Sequence, residues 1–466
     1  MSYTFNHLQQ YTFNIMKAGY NVFLTGDAGT GKTYLLRNYI NEQRSSGKNV
    51  MVCGPTGAAS LHINGATVHN QFKINIGPVV KHPIDDNVLA ELINTDILII
   101  DEISMCRVDV FDYVASYILE ANKYRKRYNK HTIQLIVSGD FFQLPPIITK
   151  YDKEILDKYY EHDVGNGFAF NSKFWKIFGF KIAILTEIVR QDNKEFVQEL
   201  NKLRVGDKSS IYYIMNNCSK APIPDAINLY GTNDSAVRKN IDELNKIDSD
   251  LWTIEAEIFG AAKITDTNAD MTLALKVGAR VMSIVNKVDE NSKQFIYSNG
   301  SLGTVVAISD GYVTVEFDNG NIESIGIYTW EVFRYSIDES TKNSKIPKLV
   351  TEKIGEVHQY PLKLAYAVTI HKAQGQTYDS VNISPYTWDC GQLYVALSRV
   401  RDINNLFLRY EIQPEYSVTS LNVISFYNEI VKEANKDVDT SVDYLGTKEV
   451  NFGDSDMNKI FALLNK

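Results

Sequence analysis

Cysteine is scarce: Cys53, Cys106, Cys218 and Cys390 are the only four in 466 residues, they lie far apart, and none forms a Cys-x-x-Cys pair. That spacing argues against a disulfide framework and a cysteine-based zinc site, and reads as buried thiols in a reducing compartment. A charged-then-apolar leader is missing, as is any run near the ~20 apolar residues of a membrane span. The expectation is a cytoplasmic protein with no membrane partner, and the short amino-terminal region speaks against organelle targeting. Basic residues are not in excess: 48 Lys and Arg stand against 56 Asp and Glu, a net charge of −8. Any polyanion must therefore be gripped at a local site rather than by the whole surface.

What is present is organised around GDAGTGKT, Gly26 to Thr33, which fits the phosphate-binding pattern G-x-x-x-x-G-K-[ST] at every fixed position. Asn21 to Thr25 reads as a short buried strand before it. Tyr34 to Gln43 reads as a helix after it, with Leu35, Leu36, Tyr39 and Ile40 on one face. Gly26, Gly29 and Gly31 let the backbone curl so that successive N–H groups, those of Ala28 and Thr30 among them, point at phosphate oxygens near a positive helix end. Lys32 reaches the outer phosphates, Thr33 supplies a hydroxyl for magnesium, and Tyr34 closes the set. ATP and Mg2+ are the cofactors to expect.

In chain order, Met1 to Gly19 predicts a helix carrying Gln9, whose amide can read the edge of adenine or simply be solvated. Asn49 to Gly54 is an apolar strand, and Thr56 and Gly57 after it offer a hydroxyl and a bare amide to a phosphate, or else cap a helix. His69 follows, then Lys73 to Asp86, whose Gly77, Pro78 and Pro83 suggest a small β excursion inserted at about 70–88. Leu98-Ile99-Ile100 runs into Asp101-Glu102, two adjacent acids at a strand end that require a cation and water nearby. Asp101 is the expected metal ligand and Glu102 the group that orients or deprotonates the attacking water. The strand Ile133 to Val137 ends in GDFFQLPP, which puts Gln143 within reach of the γ-phosphate. The basic run Asn122 to Lys130, with Tyr124 and Tyr128, either binds a polynucleotide or, more commonly for such runs, is a solvated helix end.

The second half has no second phosphate loop. Its apolar strands are Ile227–Tyr230, Ala279–Val285, Ala365–Ile370, Ser380–Ile383 and Asn405–Arg409. Two α/β lobes and one loop imply a shared cleft. Between them Ser298 to Phe333 alternates with glycines, and Asp318-Asn319-Gly320 is a hairpin turn, so a small β barrel is expected within the second lobe. Arg190 and Arg399 are candidates for arginines delivered across the cleft to the γ-phosphate, although for either one taken singly a structural salt bridge is the more common explanation. Thr369 to Thr377 offers His371, Lys372, Gly375 and Thr377 for gripping a backbone, though an internal turn could use the same glycine.

Taken in order, GDAGTGKT, GPTGAA, IDEISM, GDFFQLPP, LTEIVRQ, LKVGARVM, TIHKAQGQT and YVALSRV resemble the motor motifs of superfamily 1 helicases, branch B. GDFFQLPP, Asn201 to Asp207 and LKVGARVM look like the petite-integration-frequency (PIF) DNA helicases, relatives of the RecD group. The resemblance spans nearly Gln9 to Tyr410. It implies two tandem RecA-like α/β lobes with parallel sheets: lobe 1 over 1–192 with a wedge insertion, and lobe 2 over 193–285 and 360–421. An SH3-like barrel would fill 286–359. The stretch 422–466 matches nothing in the resemblance and is expected to be a helix followed by an acidic tail. The function implied is a monomeric 5′-to-3′ DNA helicase acting on single-stranded DNA and on forked or partial duplexes. Gln9 would read adenine, Lys32, Glu102, Gln143, Arg190 and Arg399 would serve the chemistry, and Thr56, Gly57, His69, His371, Lys372, Gly375 and Thr377 would face DNA. One departure is Tyr128 to Ile133, which replaces a segment with Pro and Gly. A protein-remodelling ATPase is the rival class; the acidic balance suits it, but TIHKAQGQT and GDFFQLPP do not.

Overall fold

The structure is a computed structural model, and it describes residues 5–55, 65–74, 77–79, 85–187, 193–288, 295–297, 299–309, 311–337 and 349–437. Arg190, Thr56 and Gly57 lie outside them.

Lobe 1 is built on a parallel sheet of six strands: β1 (Val22–Gly26), β2 (Val50–Gly54), β3 (Ala66–Thr67), β4 (Ile97–Ile100), β5 (Gln134–Ser138) and β6 (Lys181–Leu185), in the order β3-β2-β4-β5-β1-β6. The central strands are near-continuous apolar runs because helices cover both faces, and every residue of β1, β4 and β5 is buried. Helix α1 (His7–Lys17) packs Phe13 and Met16 inward, and a capping box between Asn6 and Gln9 starts it. Helix α2 (Lys32–Ser45) buries Leu35, Leu36, Tyr39 and Ile40, the face the periodicity predicts. Since β4, β5 and β1 are neighbours, the loops at their carboxyl ends converge on one rim of the sheet.

One expectation is not met among the described residues, and one open alternative is decided. Among the described residues of 68–96 there is no strand; Phe72, Ile74 and Val79 instead tuck into the lobe 1 core, and the helix Asp86–Asn94 follows. The Arg107–Asp109 pair anchors the Gly77–Val79 backbone, with Arg107 donating to Gly77 O at 2.6 Å and Val79 N–H donating to Asp109 at 2.7 Å. Residues 75–76 and 80–84 of the expected wedge are outside the described set. The basic run is a helix end: it closes the helix Val108–Arg127, and Arg125, 2% exposed, donates to the carbonyls of Ile93 and Thr95.

Lobe 2 has a parallel sheet in the order Ala367–Thr369, β7 (Ile227–Tyr230), Val381–Ile383, Leu406–Leu408, as four of the five predicted strands require. The fifth is a further correction. Arg280–Ser283 belongs to an antiparallel five-stranded sheet, between Leu302–Ser309 and Leu362–Leu364. Its pattern is the reason: Val281 and Ser283 are buried while Arg280 and Met282 are partly exposed, the period of a sheet covered on one face. The β region runs from Trp252 to Leu364, wider than the expected 286–359. Tyr312–Phe317 pairs with Ile322–Ile325 through the predicted hairpin turn. A long hairpin, Tyr328–Ile337 with Leu349–Gln359, reaches back to the Asp86–Asn94 helix of lobe 1.

The chain then returns to its start. The helix Leu421–Asp437 inserts Val423, Phe426, Tyr427 and Ile430 into the lobe 1 core, and the Phe426 ring stacks on Phe170 with centroids 4.3 Å apart. The acidic tail beyond residue 437 lies outside the described residues. Cys53, Cys106 and Cys218 are buried free thiols and Cys390 a partly exposed one. Among the described residues no helix is long and apolar enough to cross a membrane.

Candidate active site

The phosphate loop leaves β1 where Gly26 approaches β6 so closely that a Cβ there would stand 2.1 Å from Leu185 O. Gly26, Gly29 and Gly31 all take positive φ, as the curled loop demands. Lys32 bends back onto the loop and donates to Gly26 O at 2.7 Å and Asp27 O at 3.0 Å. Burial draws its ammonium below the ordinary lysine range, with nearby carboxylates opposing. Thr30 is fully buried and bonded to Asp27 O, Thr33 is half-buried at the start of α2, and Tyr34 is exposed. Gln9 is buried and donates to Thr30 O at 3.2 Å, whereas Gln10 is exposed and bonds Asn14.

Asp101 and Glu102 lie at the end of β4 beside this loop. Asp101 is buried, accepts the Glu102 N–H at 3.0 Å, and is pushed up to about 7, first by burial and then by the Glu102 charge. A carboxyl so placed, with the Thr33 hydroxyl on the neighbouring helix, is the hard-oxygen donor set that magnesium takes while keeping most of its waters. Glu102 sits at φ +51°, a left-handed conformation uncommon for a glutamate. Gln143 is buried, and its carbonyl and that of Phe142 are closely approached by Gly391 of lobe 2, where a Cβ would come within 2.7 Å and 2.2 Å of them.

Three contacts cross from lobe 2 or the terminal helix to this rim, and none was singled out from sequence. Arg204, at the end of the helix Lys194–Arg204, pairs with Asp27 of the loop at 2.9 Å and with Asp140 at 2.8 Å, and its guanidinium lies 4.4 Å from the Phe142 ring centroid. Burial raises Asp27 above the usual carboxylate range, and Arg204 opposes that rise. The Ala28 N–H donates to the Tyr394 hydroxyl at 3.0 Å, and the Tyr427 hydroxyl stands 2.6 Å from that of Thr25. Arg204 lay within the quoted Asn201 to Asp207 stretch; that stretch signalled family, not role, because an arginine's partner across a cleft leaves no local pattern.

Arg399, expected to point at the γ-phosphate, is 1% exposed, and its guanidinium donates to Val395 O, Ala373 O, Gln376 O and the Ser398 hydroxyl, all in lobe 2. In this arrangement it secures the turn of TIHKAQGQT. That turn carries His371 half-buried, Lys372 and Thr377 exposed, and Gly375 at φ +78°. Burial holds the His371 imidazolium pKa below the ordinary histidine range, with Asp389 opposing. A cleft of about 230 Å³ separates Gln376–Asp379 from Asn299–Leu302 and Phe317–Asn319 of the β region. His69 stands in lobe 1 on the short helix Val68–Gln71, drawn down by burial and by the Arg107 charge. The fourth group to reach the rim is Gln374, which donates its amide to the Glu102 carboxylate at 3.0 Å. A larger cavity of about 470 Å³ lies away from the loop, between the terminal helix and Phe170–Ile182.

The comparisons agree with this geometry. A PIF1-like helicase family model matches residues 5–211. The ATP-dependent DNA helicase Pif1 of Campylobacter jejuni is 30% identical over 449 residues, 88% of this chain and 92% of that protein. Bacteroides sp. Pif1 in complex with ADP-AlF4 is 32% identical with a TM-score of 0.75, covering 93% of this chain and 99% of that one. Bacteroides Pif1 bound to single-stranded DNA, at the same identity and coverage, superposes at 0.67. The chain belongs to the PIF1-like helicase family.

Proposed function

We propose that this protein is an ATP-dependent DNA helicase that moves 5′ to 3′ on single-stranded DNA and parts the duplex ahead of it. The observation that carries the reading is the convergence of Lys32, Asp101 and Glu102 on one rim of lobe 1 with lobe 2 groups held against that rim, Gln374 on Glu102 and Tyr394 on the loop. On this reading Lys32 and the loop amides hold the β- and γ-phosphates, and Gln9 lies where adenine would be read. Thr33 and Asp101 would hold Mg2+, which supplies charge neutralisation to the phosphates. Glu102 orients a water whose oxygen bonds to the γ-phosphorus as the bond to the β–γ bridging oxygen breaks, the water's proton passing to the carboxylate. Gln143 and the arginines, Arg190 and Arg399, complete the surroundings of the γ-phosphate when the cleft shuts; for Arg399 that means exchanging its carbonyl partners.

Thr377 lines the cleft beside the β region, and His371, Lys372 and Gly375 precede it in the same turn; with His69, Thr56 and Gly57 on lobe 1 they give each lobe a grip on the strand. Alternating grips convert closing and opening of the cleft into steps. Such contacts are blind to sequence and weaken with salt. One chain contains both walls of the cleft, so a monomer suffices for turnover. A solved Pif1 relative is described as two coordinating helicases at forked DNA, and a forked duplex is a fitting substrate here.

The test is unwinding of partial duplexes carrying a 5′ or a 3′ single-stranded overhang. The expected result is ATP-dependent strand separation with the 5′ overhang and little with the 3′. Lys32→Ala and Glu102→Gln should abolish turnover and unwinding while single-stranded DNA is still bound. Equal unwinding of both substrates would overturn the polarity, and ATP turnover indifferent to DNA would favour the protein-remodelling class.

A further inference from the structure

Gln374 joins two parts of the molecule that the proposed function treats separately. It lies one residue after Ala373 and three before Thr377, in the turn that carries the exposed Lys372 and whose exposed Thr377 lines the strand cleft. Its own side chain points the other way. Gln374 is 5% exposed, and its amide nitrogen crosses to lobe 1 and donates to the Glu102 carboxylate at 3.0 Å. Its amide oxygen has no hydrogen-bond partner among the described residues. The turn is stiffened on both sides of Gln374, because the Arg399 guanidinium holds Ala373 O at 3.1 Å and Gln376 O at 3.0 Å. Gly375 takes φ +78°, the left-handed conformation that lets the turn reverse there. From the barrel side, a Cβ on Gly300 would stand 2.7 Å from the Gln376 side-chain oxygen, so the barrel abuts the same turn.

We propose that Gln374 is a positioning residue that ties Glu102 down while no strand is engaged, and that a strand seated on the turn draws this amide away and frees Glu102 to orient water. The sign follows from the state of the cleft. The chain superposes better on Bacteroides Pif1 solved without DNA, 0.74 unliganded and 0.75 with ADP-AlF4, than on the form bound to single-stranded DNA, 0.67. The contact therefore belongs to a DNA-free arrangement. A carboxylate oxygen that accepts an N–H is occupied and fixed, and its φ of +51° keeps Glu102 at a backbone position with few alternatives. Because the turn is one stiff unit from Ala373 to Gln376, pressure on Lys372 or Thr377 moves Gln374 and the carbonyls that hold Arg399 together. DNA binding would release the water-orienting group and the arginine in one movement.

This inference rests on the reading of Glu102 as the group that orients water and of the turn as the strand grip, and its test separates the two. ATP turnover of the full chain is measured without DNA and with saturating oligothymidylate, for wild type, Gln374→Met and Gln374→Ala. Methionine keeps the length and buried volume and removes only the donor. The expected result is a DNA-free rate raised about tenfold in both variants, as loss of a charge-assisted hydrogen bond implies, with the DNA-saturated rate within about twofold of wild type. The ratio of the two rates then collapses while the Michaelis constant for ATP stays put. A DNA-free rate that is unchanged or lower in Gln374→Met overturns the proposal, as does an effect seen in Gln374→Ala alone, which would be packing. A wild-type rate that DNA does not stimulate would overturn the functional reading together with this one.

Discussion

At the scale of single residues the cleft is held by charges that make sense only in pairs. Arg204 is buried between Asp27 and Asp140 and beside two rings, so removing it strands two carboxylates in a site with little water. Arg204→Gln should destabilise the folded chain by about 3–5 kcal/mol, and Asp27→Asn added to it should recover part of that loss. Urea denaturation of the single and double variants reads both numbers, and additive losses would contradict a shared cluster. Glu91 offers a cleaner pH effect. Burial pushes its acid up to about 7, well above the value in an unfolded chain. A carboxyl raised in the folded state favours folding while protonated, and the contribution is lost as pH climbs from about 4 through 7. Glu91→Gln should therefore be nearly neutral at pH 4 and stabilise by about 1–3 kcal/mol at pH 8; a difference independent of pH would contradict the assignment. Lys32 and Asp101 could be picked out in the sequence because each stands at a fixed place relative to a strand end, whereas Gln9 was singled out only through the family resemblance. Arg204, Gln374, Tyr394 and Tyr427 act across long sequence separations, and nothing local announces which partner each one meets.

At the scale of elements, the terminal helix is the clearest case of a legible face with an illegible destination. Its apolar positions Val423, Phe426, Tyr427 and Ile430 recur at helical spacing, which says that one side is covered but not by what. It covers lobe 1, and Phe426 sits among Phe23, Phe141, Phe170 and Trp175. Phe426→Ala should cost about 3–5 kcal/mol, as for a large ring removed from a packed core. A loss below about 1 kcal/mol in denaturant titration would place the helix off the core in solution. The strand Arg280–Ser283 teaches the complementary lesson. Apolar content alone assigned it to the parallel sheet; the alternation lies in the burial of Arg280 to Ser283 and not in their hydrophobicity, since Met282 is partly exposed and Ser283 is buried. In the same way Phe72, Ile74 and Val79, read as parts of a β excursion, are anchors that an Arg107–Asp109 pair holds to the core.

At the scale of the whole molecule, the order of the strands brings the P-loop, Asp101-Glu102 and the Gly139-to-Gln143 loop to one rim, and lobe 2 reaches that rim through the ends of three of its segments: Arg204, Gln374 and Tyr394. That two lobes share one nucleotide loop was legible from counting strands and loops; how they touch was not, because contacts between lobes depend on packing geometry that no periodicity encodes. The account makes the ATP cycle a cycle of the cleft. Its most direct measurement is the distance between the lobes, read by energy transfer between dyes on Tyr151→Cys and Tyr212→Cys, two positions that are 70% and 77% exposed on lobe 1 and lobe 2. The account predicts one distance without nucleotide, a second with a non-hydrolysable ATP analogue and single-stranded DNA, and alternation between them while ATP is consumed, all lost in Lys32→Ala. A single distance that ignores nucleotide, in a protein that still hydrolyses ATP, would contradict it.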